Sequence, residues 1–260
     1  MKTHSPFLPA ERHQRILEIL REKFTMRGSR LSELLDVSEM TIRRDLDTLE
    51  QQGLVERTHG GAVFRQERVA GKFHYHNSIN ENPEEKQQIA KRAAAMVEPH
   101  DTIFIGEGTS AAQMVRHVAT DMPFTIFTNN LGVISEKNGT AAELVMLGGV
   151  YDAATHSLAG PLTMEMIRKI NANKVFLGAD GLSLSAGMTT PNLDIAVIER
   201  QMIRQTRGQV IVMAAHPKFG LVAEMSVVPI KHIDVLVTNR NVPEDFKKDL
   251  AKLGVQVIIA

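Results

Sequence analysis

The chain reads as two folds in series, an N-terminal winged helix-turn-helix (mainly α with a β wing) and a C-terminal α/β domain built on a parallel sheet. Three observations predict this. Two short amphipathic helical patterns meet at a tight turn between Ser29 and Leu46, a glycine-punctuated hairpin pattern follows over residues 52–63, and from Thr102 onward β-branched runs alternate with helical ones. The expected boundaries are 8–65 for the first domain, 66–82 for a linker and 83–260 for the second, and 260 residues suit two domains.

In the first domain, Leu31, Leu34 and Leu35 are expected to bury the face of one helix, with Val37, Ile42, Leu46 and Leu49 seating the next against it. Ser38 is a natural N-cap. Between the apolar positions stand Glu39, Met40, Thr41, Arg43 and Arg44, the exposed face that a recognition helix presents: polar side chains near its N-terminus for base edges and flanking cations for phosphates. One of Arg43 and Arg44 is expected to read a base and the other a phosphate. Gln52 to Val63 forms the wing, bringing Arg57, His59 and Gly60 beside the recognition helix, with Gly60-Gly61 able to take positive φ.

Composition narrows the function classes. Zero cysteines exclude a disulfide framework and thiolate metal sites and fit a reducing cytoplasm. No apolar run approaches a membrane span, and Met1-Lys2-Thr3-His4-Ser5-Pro6 lacks the core of a signal peptide, so a cytoplasmic protein without membrane partners is expected. Charge carries no nucleic-acid signature: 30 basic residues balance 30 acidic ones, and residues 1–65 hold 11 Lys and Arg against 10 Asp and Glu. The DNA-binding reading rests on the motif and on the local cluster of Arg43, Arg44, Arg57 and His59.

Residues 66–81 lose periodicity and read as linker; His74 and His76 offer two metal ligands without a third, and no metal site is expected. Asn82-Pro83-Glu84-Glu85 then opens a helix, with Asn82 as N-cap and Ile89, Ala93, Met96 and Val97 as its apolar stripe. Strands are expected at Thr102–Ile105, Phe124–Thr128, Leu144–Leu147, Val175–Gly178, Val210–Ala214, Val235–Thr238 and Val255–Ile259. Helices are expected around Ala111–Val118, Leu162–Ile170, Asp194–Gln205 and Pro243–Leu253.

In such sheets ligands sit at the carboxyl ends of the strands. The first strand end carries Gly106-Glu107-Gly108-Thr109-Ser110, a glycine-rich loop with two hydroxyls ahead of a helix, suited to a phosphate or other anion. Thr128-Asn129-Asn130, Gly148-Gly149, Ala179-Asp180-Gly181 and His216-Pro217-Lys218 fall at the other strand ends. Lys218 is the candidate phosphate cation, His216 a donor or pH-sensitive contact, and Asn129 and Asp180 candidate readers of hydroxyl groups.

The run Val37 to Leu46, with Leu49-Glu50, Gly53 and Arg57-Thr58-His59-Gly60-Gly61-Ala62, closely resembles the DNA-binding end of the DeoR family of bacterial transcription regulators. Glu11-Arg12 and Ile16 to Leu20 look like that family's first helix, so the resemblance spans the N-terminal domain without a gap. The strand-end loops resemble, more weakly, the family's C-terminal sensor domain, whose fold is related to sugar-phosphate isomerases of the ribose-5-phosphate isomerase type. The resemblance implies a homo-oligomeric (dimeric or tetrameric) repressor of a carbohydrate-utilisation operon. Its partners would be double-stranded operator DNA and a phosphorylated sugar effector, with no cofactor and no catalytic residue.

Two departures stand out. Gly106 occupies the place of the acid that opens the family's usual Asp-x-Gly-Thr-Thr loop, with Glu107 beside it. The usual Asp-(Ser/His)-Ser-Lys-Phe appears here as Ala215-His216-Pro217-Lys218-Phe219. The alternative, an isomerase-like enzyme with an appended DNA-binding domain, needs an acid/base pair across the sugar site. The missing acids at Gly106 and Ala215 weigh against it, although Glu107, Asp180, Asp194 and Glu199 remain.

Overall fold

The computed structural model describes residues 7–23, 25–58, 60–64, 75–79, 81–137, 139–242 and 244–260; among the sequence expectations, His59, His74 and most of the linker lie outside them, and of His76 only the backbone is described. The chain divides into two compact units, residues 1–67 with 242–252, and residues 68–241 with 253–260.

The first unit opens with α1 (Pro9–Lys23), β1 (Thr25–Arg27), α2 (Gly28–Leu35), α3 (Glu39–Gln51), β2 (Val55–Thr58) and β3 (Gly61–Phe64). Ile16 and Leu20 of α1, Leu31 and Leu35 of α2, and Ile42, Leu46 and Leu49 of α3 close one apolar core, with Val37 packed at its edge. Leu34 departs from expectation: the Leu31/Leu35 stripe faces the core, and Leu34, on its flank, is 49% exposed. Ser38 caps α3 as expected, its Oγ accepting from the Thr41 N–H at 3.2 Å.

The wing is a three-stranded antiparallel sheet, β1-β3-β2, with Val55 opposite Phe64 and Thr58 opposite Gly61. Gly61 serves close approach rather than positive φ, because a Cβ there would lie 2.1 Å from the Met26 carbonyl oxygen of β1. β1 itself was not foreseen.

The second unit runs α4 (Tyr75–Ile79), α5 (Pro83–Ala94), β4 (Thr102–Ile105), α6 (Thr109–Gln113), β5 (Thr125–Thr128), α7 (Gly132–Glu136), β6 (Glu143–Met146), β7 (Val150–Asp152), β8 (Ser157–Ala159), α8 (Pro161–Arg168) and β9 (Ala172–Gly178). It continues with β10 (Gly181–Ser183), β11 (Gly187–Thr190), α9 (Leu193–Arg204), β12 (Thr206–Met213), β13 (Met225–Val228) and β14 (Val235–Thr238). After α10 (Glu244–Lys252), which groups with the first unit, β15 (Gln256–Ile259) completes it. The sequence pattern had placed α10 in the α/β domain.

All seven expected strands pair in one parallel sheet, ordered β15-β14-β12-β9-β4-β5-β6. Alternation along each strand builds two buried faces. Ile103, Ile105, Phe176, Ile211, Met213, Val235 and Val237 cluster with Ile89, Ala90, Ala93 and Ala94 of α5. The intervening Phe104, Val175, Leu177, Val212 and Leu236 are equally buried on the other face, where α9 packs on β9 and β12. Two small antiparallel sheets, β10-β11-β13 and β7-β8, were not foreseen.

Local differences follow from backbone demands. The helix expected over Ala111–Val118 splits into α6 and a 3-10 turn, Met114–His117. Asn82 stands before α5 at φ 48° and makes no side-chain cap, Pro83 taking the first helical turn. The segment read as linker contains α4, whose Tyr75 is buried and donates its N–H to the Ala154 carbonyl.

Candidate functional site

The chain leaves β4 toward β5 and β6 and returns to β9 on the other side of β4, so the order in which strands are added reverses between β4 and β9. Parallel sheets bind ligands at such a point, outside the carboxyl ends of the strands. A cleft opens there. The loop after β4 contributes Glu107, Gly108, Thr109 and Ser110, the end of β9 Gly178 to Asp180, and the turn after β12 Ala214, Ala215, Pro217 and Lys218. Ser78 from α4, Glu81 and Asn82 from the connection, Lys86 from α5, and Ile195 and Glu199 from α9 close it.

Gly108 turns the loop at φ 102°, a conformation that favours glycine. Asn130 holds the turn by donating its amide to the Gly106 and Gly108 carbonyls at 3.1 and 3.0 Å. Glu107 is buried; its Oε1 accepts from Ser157 Oγ at 2.7 Å and Asn129 Nδ2 at 3.1 Å. Burial outweighs those hydrogen bonds and pushes its carboxyl up to about 8. Burial also raises Asp180, against the opposing pull of Lys218 and the hydrogen bond from Thr190 Oγ1 at 2.8 Å. Glu199 lies well above the usual carboxylate range through burial and the nearby Glu107 and Asp180. Lys86 donates to Ser78 Oγ at 3.0 Å and to the Ser78 carbonyl, and burial brings its ammonium down to about 8. The cleft thus pairs two lysines and the N–H groups and hydroxyls of a glycine loop with two buried acids, Glu107 and Glu199, and the half-buried Asp180.

In the first unit, a groove runs between α3 and the wing, lined by Glu39, Met40, Arg43, Arg57 and Gly60. Arg43 and Arg44 are exposed and enter no ion pair among the described residues. Arg57 is less free than the sequence implied: its Nε lies 3.5 Å from Asp47 Oδ1, and its backbone N–H donates to Glu50 Oε1 at 3.0 Å, fastening the wing to α3.

Comparison with known proteins agrees with both halves. Residues 12–68 match the DeoR-like helix-turn-helix domain and residues 81–240 the DeoR C terminal sensor domain. The chain belongs to the DeoR family. Over 96% of its length it is 32% identical to the HTH-type transcriptional regulator GlpR of Haloferax volcanii, covering 98% of that protein. It is 30% identical to the transcriptional repressor AccR of Agrobacterium fabrum, over 92% of this chain and 95% of that one. In fold, ribose 5-phosphate isomerase A from Methanocaldococcus jannaschii matches 54% of this chain and 55% of its own with a TM-score of 0.40 and 15% identity. Such relatives are named regulators and repressors, and this DeoR protein is a DNA-binding transcriptional regulator.

Among the residues singled out from the sequence, Glu107, Gly108, Thr109, Ser110, Asp180 and Lys218 come together in the cleft of this DeoR sensor domain. Thr128, Asn129, Asn130, Gly148, Gly149, Gly181 and His216 do not line it. Thr128 Oγ1 donates to the Ile105 carbonyl and Asn129 is spent on Glu107, so both brace the loop from behind. The Gly148 carbonyl accepts from Thr163, Gly149 packs against the same side chain, and Gly181 lies against Leu221. His216 turns to Asn239 and Glu85, at 3.1 and 3.4 Å.

Sequence reasoning missed Ser78, Glu81, Asn82 and Lys86 and left Glu199 to the enzyme alternative. Lys86 carried no signal, standing in a helix otherwise rich in exposed charge. Both departures from the family pattern lie at the cleft: Ala215 lines it, and a Cβ on Gly106 would lie 2.5 Å from Leu177 Cδ2 and 3.1 Å from Glu199 Oε1. Leu177 and Glu199 therefore both crowd the position of a Cβ at 106.

Proposed function

We propose that this regulator represses a carbohydrate-utilisation operon and that a phosphorylated sugar in the β4/β9 cleft releases it from operator DNA. The observation that supports this reading best is the convergence of Lys86 and Lys218 on a cleft whose rim is the Gly108-Thr109-Ser110 loop. Backbone N–H groups, two hydroxyls and two ammonium groups favour a dianion over the neutral parent sugar. The DNA-binding set is Ser38, Glu39, Met40, Thr41, Arg43, Arg44, Arg57, His59 and Gly60, with Arg43 and Arg44 entering the major groove and the wing meeting the flanking backbone or minor groove. An effector acts only through its different affinities for the DNA-competent and released states, which a dimer or tetramer exchanges by rearranging its subunits.

Mapping the binding sites of the full chain in its own genome tests the reading. Enrichment upstream of sugar-catabolic genes, lost on adding the phosphorylated intermediate of that pathway, supports it. Enrichment unrelated to carbohydrate genes contradicts it.

A further inference from the structure

Glu107 and Glu199 are two acids without a cation. Each is almost wholly buried, with 5% and 1% of its surface exposed, and each lines the cleft. Among the described residues, Oε2 of Glu107 and Oε2 of Glu199 have no hydrogen-bond partner. The cations of the cleft work elsewhere: Lys218 and Lys86 both act on Asp180, whereas the groups acting on Glu107 and Glu199 are neutral or acidic. Neither carboxyl enters an ion pair among the described residues, and no three acids or histidines there converge for a metal ion. A buried acceptor is normally paired, and one left open inside a ligand cleft marks a place for the ligand's own donor.

A sugar hydroxyl donates one hydrogen and brings no charge. A primary ammonium donates three and brings a positive charge that favours the ionised form of both acids. Gly106 leaves room for the arrangement: a Cβ there would lie 2.5 Å from Leu177 Cδ2 and 3.1 Å from Glu199 Oε1, so those side chains would have to shift.

We propose that the Glu107–Glu199 pair is an ammonium-binding subsite, so that the effector class is an aminated sugar phosphate. Its phosphate meets the Gly108–Ser110 loop and its amino group meets the two open carboxyl oxygens, drawing them to their ionised form. This rests on the phosphate reading above and adds the amine to it.

Calorimetry of the full chain at neutral pH separates the two ideas. The probes are glucose 6-phosphate against glucosamine 6-phosphate, galactose 6-phosphate against galactosamine 6-phosphate, and the four unphosphorylated sugars. In at least one pair the aminated phosphate is expected to bind more tightly by about tenfold or more, the scale of a hydrogen bond to a charged group. Glu107→Gln and Glu199→Gln should each erase that preference. No preference for the aminated member of either pair, binding by neither member, or a preference that survives in both variants overturns the ammonium subsite. The phosphate reading is judged separately, by each phosphorylated sugar against its free form.

Discussion

Asp45, on the buried side of α3, receives the Arg12 guanidinium from α1 through two hydrogen bonds, Nε to Oδ2 at 2.5 Å and Nη2 to Oδ1 at 2.9 Å. His13 Nε2 lies 2.9 Å from the same Oδ1. This bidentate pair is buried at both ends and ties α3 to α1, so the angle at which α3 is presented depends on it.

Removing one partner of such a pair strands the other charge. Asp45→Ala is expected to cost the winged domain about 3–5 kcal/mol, whereas the apolar double replacement Arg12→Met with Asp45→Leu should recover most of that loss. Denaturant titrations of the full chain, followed with probes in each unit, check this. A single variant as stable as the parent would show that the pair does not hold α3.

Arg43 and Arg44 are exposed at the protein surface, and replacing either with alanine is expected to weaken operator binding. Loss of a bidentate base contact should cost roughly 1–3 kcal/mol and relax specificity at one position, while loss of a phosphate contact should weaken every sequence and flatten the salt dependence. Binding titrations across a salt series distinguish the two. Two variants that bind like the parent would place the DNA elsewhere.

Arg57 pairs with Asp47 while lining the groove, so Arg57→Ala should loosen the wing as well as remove a backbone contact. The expected outcome is lower affinity with the base preference retained. A selection experiment that returns a changed consensus sequence would assign base reading to the wing.

Titration of the cleft carries a definite sign. The folded Glu107 carboxyl, at about 8, lies above its unfolded value, so between roughly pH 4.5 and 8 the native state binds more protons than the unfolded chain. Its contribution is fully present below the unfolded value and is lost as pH rises through the folded one. Lys86, brought down to about 8, has the opposite sign, and stability regained from it belongs above that pH. Melting temperatures of the parent should therefore decline from pH 5 to 8 more steeply than those of Glu107→Gln. Parallel profiles would mean that Glu107 ionises as in the unfolded chain.

The parallel sheet was legible because its strands are short runs such as Ile103-Phe104-Ile105 and Val210-Ile211-Val212, buried on both faces and flanked by turn residues. The loop after β4 was legible for the same reason, since glycines and hydroxyls follow such a run. What stayed hidden depends on residues distant in sequence. Lys86 and Glu199 reach the cleft from helices whose local pattern says only which face is apolar. Arg12 and Asp45 look like ordinary surface charges until α1 and α3 are packed. The strands β1, β7 and β10 have three residues each, too few for an alternating pattern to show.

The most direct measurement is fluorescence anisotropy of the full chain on its own promoter DNA, titrated with phosphorylated and free sugars, for the parent and for Lys218→Ala and Thr109→Val. The phosphorylated effector should release the parent, the free sugar should not, and both variants should hold the DNA as tightly as the parent while needing more effector to let go. Release by free and phosphorylated sugar alike, or release of the variants at the parent's effector concentration, would contradict a phosphate held between the Gly108–Ser110 loop and Lys218.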